Sequence, residues 1–376
     1  MTQKNDIQVK EMVYKLFWIL GHIPFYEVNL YSSIGLTPRR QQITDIDVLG
    51  IKLTNSLTIE KIIAECKGGR QASRQPVSKS LWLKGVMDYF GAHMGIVVLN
   101  KRIPEEHRLA AFALNVRLFS NEELEKFMKV YNLEIFKNID FYQYTTFKNF
   151  TQKVFSSDSN LLNLKDVLFH KFWIWPDEMK LRFTLGEIKK VSKYFNASSK
   201  FHTVLLLEMF VIISVALQIM LSYFYPIYLS PESKEYLSDR LKFYLYGGKE
   251  TYDYLNFLYE KILKLKSQGT LFNLSSLTNK KTNLSLPYWE EFIQLFKGFL
   301  ENPLGSIFLP HLFRIIGFGK ILVDNKNSIN YLKAVLPINN LMLKMAADIV
   351  DYVYSVVKFP EEMYMTIKNN LHEFIS

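Results

Sequence analysis

The sequence of 376 residues contains a single cysteine, Cys66, so it cannot hold an internal disulfide framework. Such cysteine usage predicts a protein of a reducing compartment, the cytoplasm. The seven histidines are scattered, and none has the paired spacing of a zinc site. No Gly-x4-Gly-Lys-Ser/Thr loop for nucleotide phosphates occurs, which argues against an ATPase. Residues 1–10 are polar and charged, unlike a secretory signal peptide.

Apolar and basic residues, in contrast, are abundant. Hydrophobic residues make up 49% of the chain, and the formal net charge is +10. This length and apolar content predict one large domain or two ordinary ones, each with a sizeable core. The positive charge suits a polyanionic partner such as a nucleic acid, although it does not require one.

Residues 43–69 form the most informative stretch. Their β-branched and apolar residues, bounded by turn-forming residues, predict two strands joined by a short turn. If these strands pair as a hairpin, Asp47 falls opposite or diagonal to Glu65, with Cβ atoms about 5 Å apart. Two carboxylates at that separation can hold one divalent cation. Lys67 lies on the same strand face as Glu65, because side chains alternate along a strand.

A solvated sheet face is the alternative interpretation of these charged residues. Against it, Ile62, Ile63, Ala64 and Cys66 make the second strand apolar on both faces, which predicts a buried strand. Buried charges are costly unless they are paired or bound to metal. We therefore interpret the stretch as a site for metal-assisted phosphodiester hydrolysis.

Asp47 is followed, after seventeen intervening residues, by Glu65-x-Lys67. This pattern resembles the PD-(D/E)XK nuclease signature in its Asp…Glu-x-Lys form. Residues 46–49 and 64–68 are similar to the Mrr-like and Holliday-junction-resolvase-like branches of that superfamily. Isoleucine stands before the aspartate, where the family often has proline, a departure that leaves the chemistry intact.

The resemblance implies an α/β restriction-endonuclease-like domain, with a mixed central sheet flanked by helices. It also implies that Asp47, Glu65 and the main-chain carbonyl of Cys66 bind Mg²⁺ (or Mn²⁺). Lys67 would orient or activate the attacking water and offset charge on the phosphate. These expectations apply to a domain spanning residues 1–136.

The remaining pattern of the N-terminal part agrees with that fold. Hydrophobic periodicity and turn signals predict the order helix, three strands, helix, strand, helix, strand, helix. Ser120 and Glu123 form a capping box that starts the last helix, toward residue 131. The predicted helices are residues 8–20, 78–92, 104–113 and 121–131, and the strands outside the hairpin are residues 22–31, 94–99 and 116–119.

Further residues are candidates for supporting roles. Glu11, Glu27 and Asp45 are possible supporting acids, although Glu11 is also consistent with a solvated surface. Basic residues in the neighbouring loops and the following helix could hold the nucleic-acid backbone; they are Arg39, Arg40, Arg70, Arg74, Lys79 and Lys84. For Arg39 and Arg40 a solvated loop is an equally good interpretation.

Residues 137–376 show helical patterns only and predict an all-α C-terminal domain, which could serve recognition, sensing or partner binding. Residues 204–229 approach the length of a membrane span. Glu208, Gln218 and Pro226 interrupt them, so we expect a buried central helix and no membrane partner.

The leading hypothesis is therefore a Mg²⁺-dependent endonuclease whose partner is a nucleic acid, in first place double-stranded DNA. Prokaryotic defence against foreign DNA is a natural setting by analogy. Two alternatives stay open: a nuclease acting on RNA or branched junctions, and a non-catalytic nucleic-acid-binding sensor. A homodimer or a partner subunit could form through the helical domain.

Overall fold

A mixed sheet organises the N-terminal part of the chain in a computed structural model of the protein. The structure describes residues 2–32, 41–67, 75–131, 140–229, 234–268, 284–324 and 339–373. The strands are β1 (Ile23–Tyr31), β2 (Gln42–Leu53), β3 (Ile59–Lys67), β4 (Met94–Leu99) and β5 (Val116–Ser120). They lie side by side in chain order. The pairs β1–β2 and β2–β3 are antiparallel, whereas β3–β4 and β4–β5 are parallel.

Four helices accompany the sheet: α1 (Thr2–Ile19), α2 (Pro76–Phe90), α3 (Glu105–Ala113) and α4 (Asn121–Met128). α1 packs on β1, β2 and β3 through Val9, Val13, Leu16 and Phe17, which are all buried. The predicted order of elements is confirmed, and so is the mixed sheet with flanking helices. The predicted capping box is present, with both the Ser120 and the Glu123 hydrogen bonds formed.

The helix boundaries differ from the predicted ones at several ends: α2 starts and ends two residues earlier than predicted, and the larger differences are in α1 and α4. α1 starts at Thr2 instead of residue 8, because its first turns are polar and lack the apolar periodicity that signals a helix. α4 ends at Met128 instead of residue 131. Beyond Met128 the chain continues as a turn, in which the Tyr131 N–H donates to the Met128 carbonyl at 3.1 Å and the Tyr131 ring packs edge-on against Phe127.

The C-terminal region is largely helical, as predicted. Its longer helices are α5 (Tyr144–Ser157), α6 (Lys180–Val191), α7 (Lys200–Tyr228), α8 (Lys234–Leu245), α9 (Lys249–Gln268), α10 (Trp289–Glu301), α11 (Asn340–Val357) and α12 (Glu361–His372). Shorter helical segments are Asp140–Tyr142, Ser159–Leu161, Leu162–Asp166, Val167–Lys171, Phe172–Ile174, Asp177–Met179, Ser192–Tyr194, Pro303–Ser306, Leu309–Arg314 and Ile315–Leu322.

α7 lies at the centre of this region. Every residue from 202 to 221 is buried, including Gln218, whose amide donates to the carbonyls of Ser306 and Ile307. The predicted buried central helix is therefore confirmed for residues 204–221, whereas residues 222–229 are partly or fully exposed except for Phe224. By length and hydropathy, α7 and Pro303–Leu322 could each cross a membrane, a test that the core helix of a soluble protein also passes. That no membrane takes part stays a prediction.

The helical region and the sheet share one continuous apolar core. The predicted boundary between residues 136 and 137 lies outside the described residues. On either side of it the packing is shared: α7 contacts β2 and β3, and His311 Nε2 lies 3.1 Å from the carbonyl of His22 in the β-sheet region. The C-terminal helices thus pack directly against the sheet.

Candidate active site

The β2–β3 hairpin brings the two predicted carboxylates together. Val48 pairs with Ala64, and continuing this antiparallel register by one residue places Asp47 opposite Glu65. Directly opposed side chains lie on the same face of a sheet. The hairpin turn, in which Leu57 has φ +60°, sets this register. The sequence had left an opposed or a diagonal arrangement open, and in the structure both carboxylates lie close enough to contact Lys67 Nζ, at 3.7 and 3.2 Å.

Asp47 is held from three directions. Its side chain is almost fully buried, and its Oδ2 atom accepts a 2.7 Å hydrogen bond from the backbone N–H of Cys66. Its Oδ1 atom lies 2.7 Å from the Nζ atom of Lys10, and Lys67 Nζ lies 3.7 Å from Oδ2. A buried carboxylate is stable only with such partners, so the rotamer of Asp47 is fixed by the surrounding strands and α1.

Glu65 is also buried, and it meets two lysines. Its Oε1 atom lies 3.2 Å from Nζ of Lys67 and 3.1 Å from Nζ of Lys79, which projects from α2. Burial, followed by the negative charge of Asp47, raises the pKa of Glu65 above its ordinary value. The two carboxylates therefore repel each other, and the position between them favours a cation.

Lys67 remains an ammonium at neutral pH. Burial lowers its pKa, but the charges of Asp47 and Glu65 outweigh burial and raise the pKa above the ordinary value. Its side chain is 41% exposed, so it faces both the carboxylates and the solvent. Lys67 can therefore donate hydrogen bonds and positive charge to a ligand, but it is a poor proton acceptor.

Two further predicted acids lie around this pair. Glu27 occupies the register position opposite Asp47 on β1 and has φ +56°. Its Oε1 atom accepts from Lys10 Nζ at 2.5 Å and from the Tyr144 hydroxyl at 2.7 Å. Burial raises the pKa of Glu27, but the charge of Lys10 and the hydrogen bonds from Lys10 and Tyr144 together outweigh burial and hold that pKa below its ordinary value. Asp45 is exposed at the start of β2, and its charge contributes to the raised pKa of Lys67.

Glu11, the third predicted acid, binds the C-terminal region. Its Oε1 atom accepts a 2.9 Å hydrogen bond from the backbone N–H of Tyr144. The structure thus connects Glu11 to the carboxylate cluster through Tyr144, which also reaches Glu27.

The predicted nucleic-acid-binding residues separate into three groups. Lys79 belongs to the site through Glu65, and its Nζ atom lies 5.1 Å from the ring centre of Trp82, a cation–π contact. Lys84 pairs with Asp88 on the exposed side of α2. Four of the predicted residues lie outside the described residues: Arg39, Arg40, Arg70 and Arg74.

Sequence reasoning missed Lys10 and Tyr144. The signal for Lys10 was present: Tyr14 and Phe17 follow it at helical spacing, and both are buried. A lysine on the apolar face of a helix needs a buried partner. For Tyr144 the sequence carries no such signal, because its place depends on packing between distant segments.

The donor set fits a hard divalent cation. Among the residues that the structure describes, no three His, Cys, Asp or Glu side chains form a closed metal cluster. Mg²⁺ does not need one, since it is commonly held by one or two carboxylates and several waters. Asp47 and Glu65 would supply those carboxylates, and the main chain of Cys66 lies between Glu65 and Lys67. The Cys66 thiol is buried, and burial raises its pKa well above the ordinary value, so it stays protonated.

Comparisons with protein-family models, curated proteins and solved structures find no match to this chain.

Proposed function

We propose that the protein is a metal-dependent nuclease that hydrolyses phosphodiester bonds, with DNA as the leading substrate and Mg²⁺ or Mn²⁺ as the cofactor. One observation supports this most directly. Two buried carboxylates, Asp47 and Glu65, lie on the paired strands of one hairpin, and Lys67 lies within 3.7 Å of both. Defence against foreign DNA is a setting consistent with such an activity, by analogy alone.

Each residue has a distinct part in the proposed reaction. Asp47, Glu65 and the Cys66 carbonyl would hold the divalent ion, which supplies Lewis acidity and lowers the pKa of a bound water. Lys67 orients the attacking water and offsets negative charge that develops on the phosphate. Because its pKa is raised, Lys67 acts as a donor and not as the general base.

Lys79 provides a second positive group beside the same carboxylate. Its Nζ atom lies 3.1 Å from Glu65 Oε1, and its side chain is partly exposed. Charged side chains that contact phosphates add affinity without reading sequence. We therefore expect Lys79 to contact a phosphate of the strand that is cut, and we expect this contact to add no sequence preference.

The test compares isosteric variants on four substrates. Asp47→Asn and Glu65→Gln should abolish cleavage of plasmid, linear duplex, single strands or RNA, whichever the wild type cleaves with Mg²⁺. Both should retain nucleic-acid binding, because the lysines remain. Glu60→Gln is the matched control: Glu60 lies on the same strand and pairs with Lys52 at 3.0 Å, outside the carboxylate pair. Near-wild-type Mg²⁺-dependent cleavage by Asp47→Asn or Glu65→Gln would refute the assignment.

The same assay separates the alternatives. Cleavage of RNA or of a branched junction, but not of linear duplex, would favour the second substrate class. A wild-type protein that binds nucleic acid yet cleaves none of the substrates with either metal would be a sensor. In that case the lysine–carboxylate cluster would serve only as a buried ion network.

A further inference from the structure

Lys10 is a buried cation between two carboxylates. Its side chain is 13% exposed, and its Nζ atom lies 2.5 Å from Glu27 Oε1 and 2.7 Å from Asp47 Oδ1. The two acids occupy opposed register positions on β1 and β2, while the lysine comes from α1. Three separate elements thus converge on one ammonium group.

The surroundings of Lys10 hold this arrangement in place. The Tyr144 hydroxyl donates to the same Glu27 oxygen at 2.7 Å, and the Tyr144 ring lies 5.5 Å from Lys10 Nζ. Glu27 has φ +56°, a left-handed conformation that is unfavourable for a residue other than glycine. Strained backbone of this kind persists where the surroundings over-determine it and often occurs at functional sites.

The three lysines of the site differ in their freedom to move. Lys67 and Lys79 contact Glu65 from the open side, with 41% and 21% of their side chains exposed, so both can shift toward a phosphate. Lys10 is enclosed by α1, β1, β2 and Tyr144. The positive charge between Asp47 and Glu27 is therefore fixed. Next to Glu65, in contrast, Lys67 and Lys79 can move away and a metal ion can take their place.

We propose that Lys10 takes the place of a second metal ion, so that the site binds a single divalent cation on the Glu65 side of Asp47. This inference rests on the proposed function, because it assumes that Asp47 and Glu65 bind a divalent ion. Two-metal sites place a second ion about 3.5–4 Å from the first, on a shared carboxylate. Here the Lys10 ammonium already contacts Asp47 Oδ1, the oxygen that a second ion would bind. Its positive charge repels a second cation. Lys10 is thus a positioning residue.

The number of bound Mn²⁺ ions tests the proposal without any measurement of cleavage. Binding of Mn²⁺ is measured by calorimetry, and the concentration of free Mn²⁺ is measured by electron paramagnetic resonance. Both should give one bound ion per wild-type chain. Lys10→Met keeps the aliphatic stem and removes the charge, so Glu27 and Asp47 should then hold a second ion. Lys10→Arg should restore a stoichiometry of one. Lys52→Met, which breaks the Lys52–Glu60 pair, is the control and should also bind one.

Thermal unfolding provides a second measurement. In EDTA, Lys10→Met should melt below the wild type, because two carboxylates lose their counter-charge. Mn²⁺ should raise its midpoint by more than it raises that of the wild type. Lys10→Met/Glu27→Gln removes one of the two acids and should return to one ion and a smaller metal-induced shift.

The outcomes distinguish this inference from the proposed function. Two bound ions in the wild type would overturn the inference. This measurement does not need the variant, so it remains decisive even if Lys10→Met does not fold. One ion in both the wild type and a folded Lys10→Met would overturn it as well. No Mn²⁺ binding by the wild type would overturn the metal-dependent function itself. Loss of the single wild-type ion in Glu65→Gln would support both.

Discussion

Replacement of Arg314 by methionine should strongly destabilise the fold. Arg314 has no exposed side-chain surface, and its guanidinium donates to both oxygens of Glu208 on α7, at 2.9 and 2.8 Å. It also donates to the carbonyl of Pro24 on β1 and lies over the ring of Phe25. One side chain therefore links the central helix of the C-terminal region to the edge strand of the sheet.

The size of the effect follows from the charge left behind. In Arg314→Met, the buried carboxylate of Glu208 loses the guanidinium that pairs with both of its oxygens, and removing one member of a buried pair costs about 3–5 kcal/mol. Total unfolding free energies of proteins are commonly about 5–15 kcal/mol. The variant should therefore lose a large fraction of its stability, and β1 should loosen together with α7.

Urea denaturation followed by circular dichroism measures this loss. Arg314→Met/Glu208→Leu should recover most of the stability, because an apolar pair of similar volume often replaces a buried ion pair without loss. Lys249→Met breaks the exposed Lys249–Asp253 pair and should leave the midpoint unchanged. A loss below about 1 kcal/mol in Arg314→Met, or a double variant as unstable as the single one, would refute the reasoning.

Two further predictions concern the site and pH. Lys67→Ala should slow cleavage by about 10²–10³-fold with little change in Mn²⁺ affinity by calorimetry; lost metal binding with retained cleavage would contradict its role. Burial lowers the pKa of His22 and of His311 to about 3, whereas the pKa of histidine in the unfolded chain is about 6.5. Stability should therefore be full above pH ~6.5 and fall toward pH ~3, by up to about 1.4 kcal/mol per pH unit for each histidine. Urea midpoints across that range should fall less steeply in His311→Gln; an equal slope would exclude this cause.

Local patterns were enough to predict the sheet. Met94–Leu99 has the predicted bounds, because a short all-apolar run between turn signals leaves little ambiguity. Likewise Asp47 and Glu65 could be placed together, since the register of a hairpin is set by the residues between its strands. The helix boundaries were less certain, as the early start of α1 at Thr2 shows.

The remainder of the site depends on long-range packing. Lys10 could have been suspected from its position on an apolar helix face, but its partners could not, because Glu27 and Asp47 lie on other elements. The left-handed conformation of Glu27 has no sequence signal either, since a glutamate seldom adopts it. The pairing of Lys10 with Glu27 and Asp47 is set by the tertiary fold, so the sequence alone does not reveal it.

Tyr144 connects the C-terminal region to the carboxylate cluster of the N-terminal region. It belongs to α5 of the C-terminal region, yet its backbone N–H binds Glu11 and its hydroxyl binds Glu27. Two residues earlier, the ring of Tyr142 stacks on Tyr14 of α1, with ring centres 4.9 Å apart. The hairpin supplies Asp47 and Glu65. The position of the Lys10 ammonium also depends on the C-terminal helices, because Tyr144 packs against Lys10 and donates to Glu27. The C-terminal region is therefore part of the support of the site, in addition to any role in recognition or partner binding.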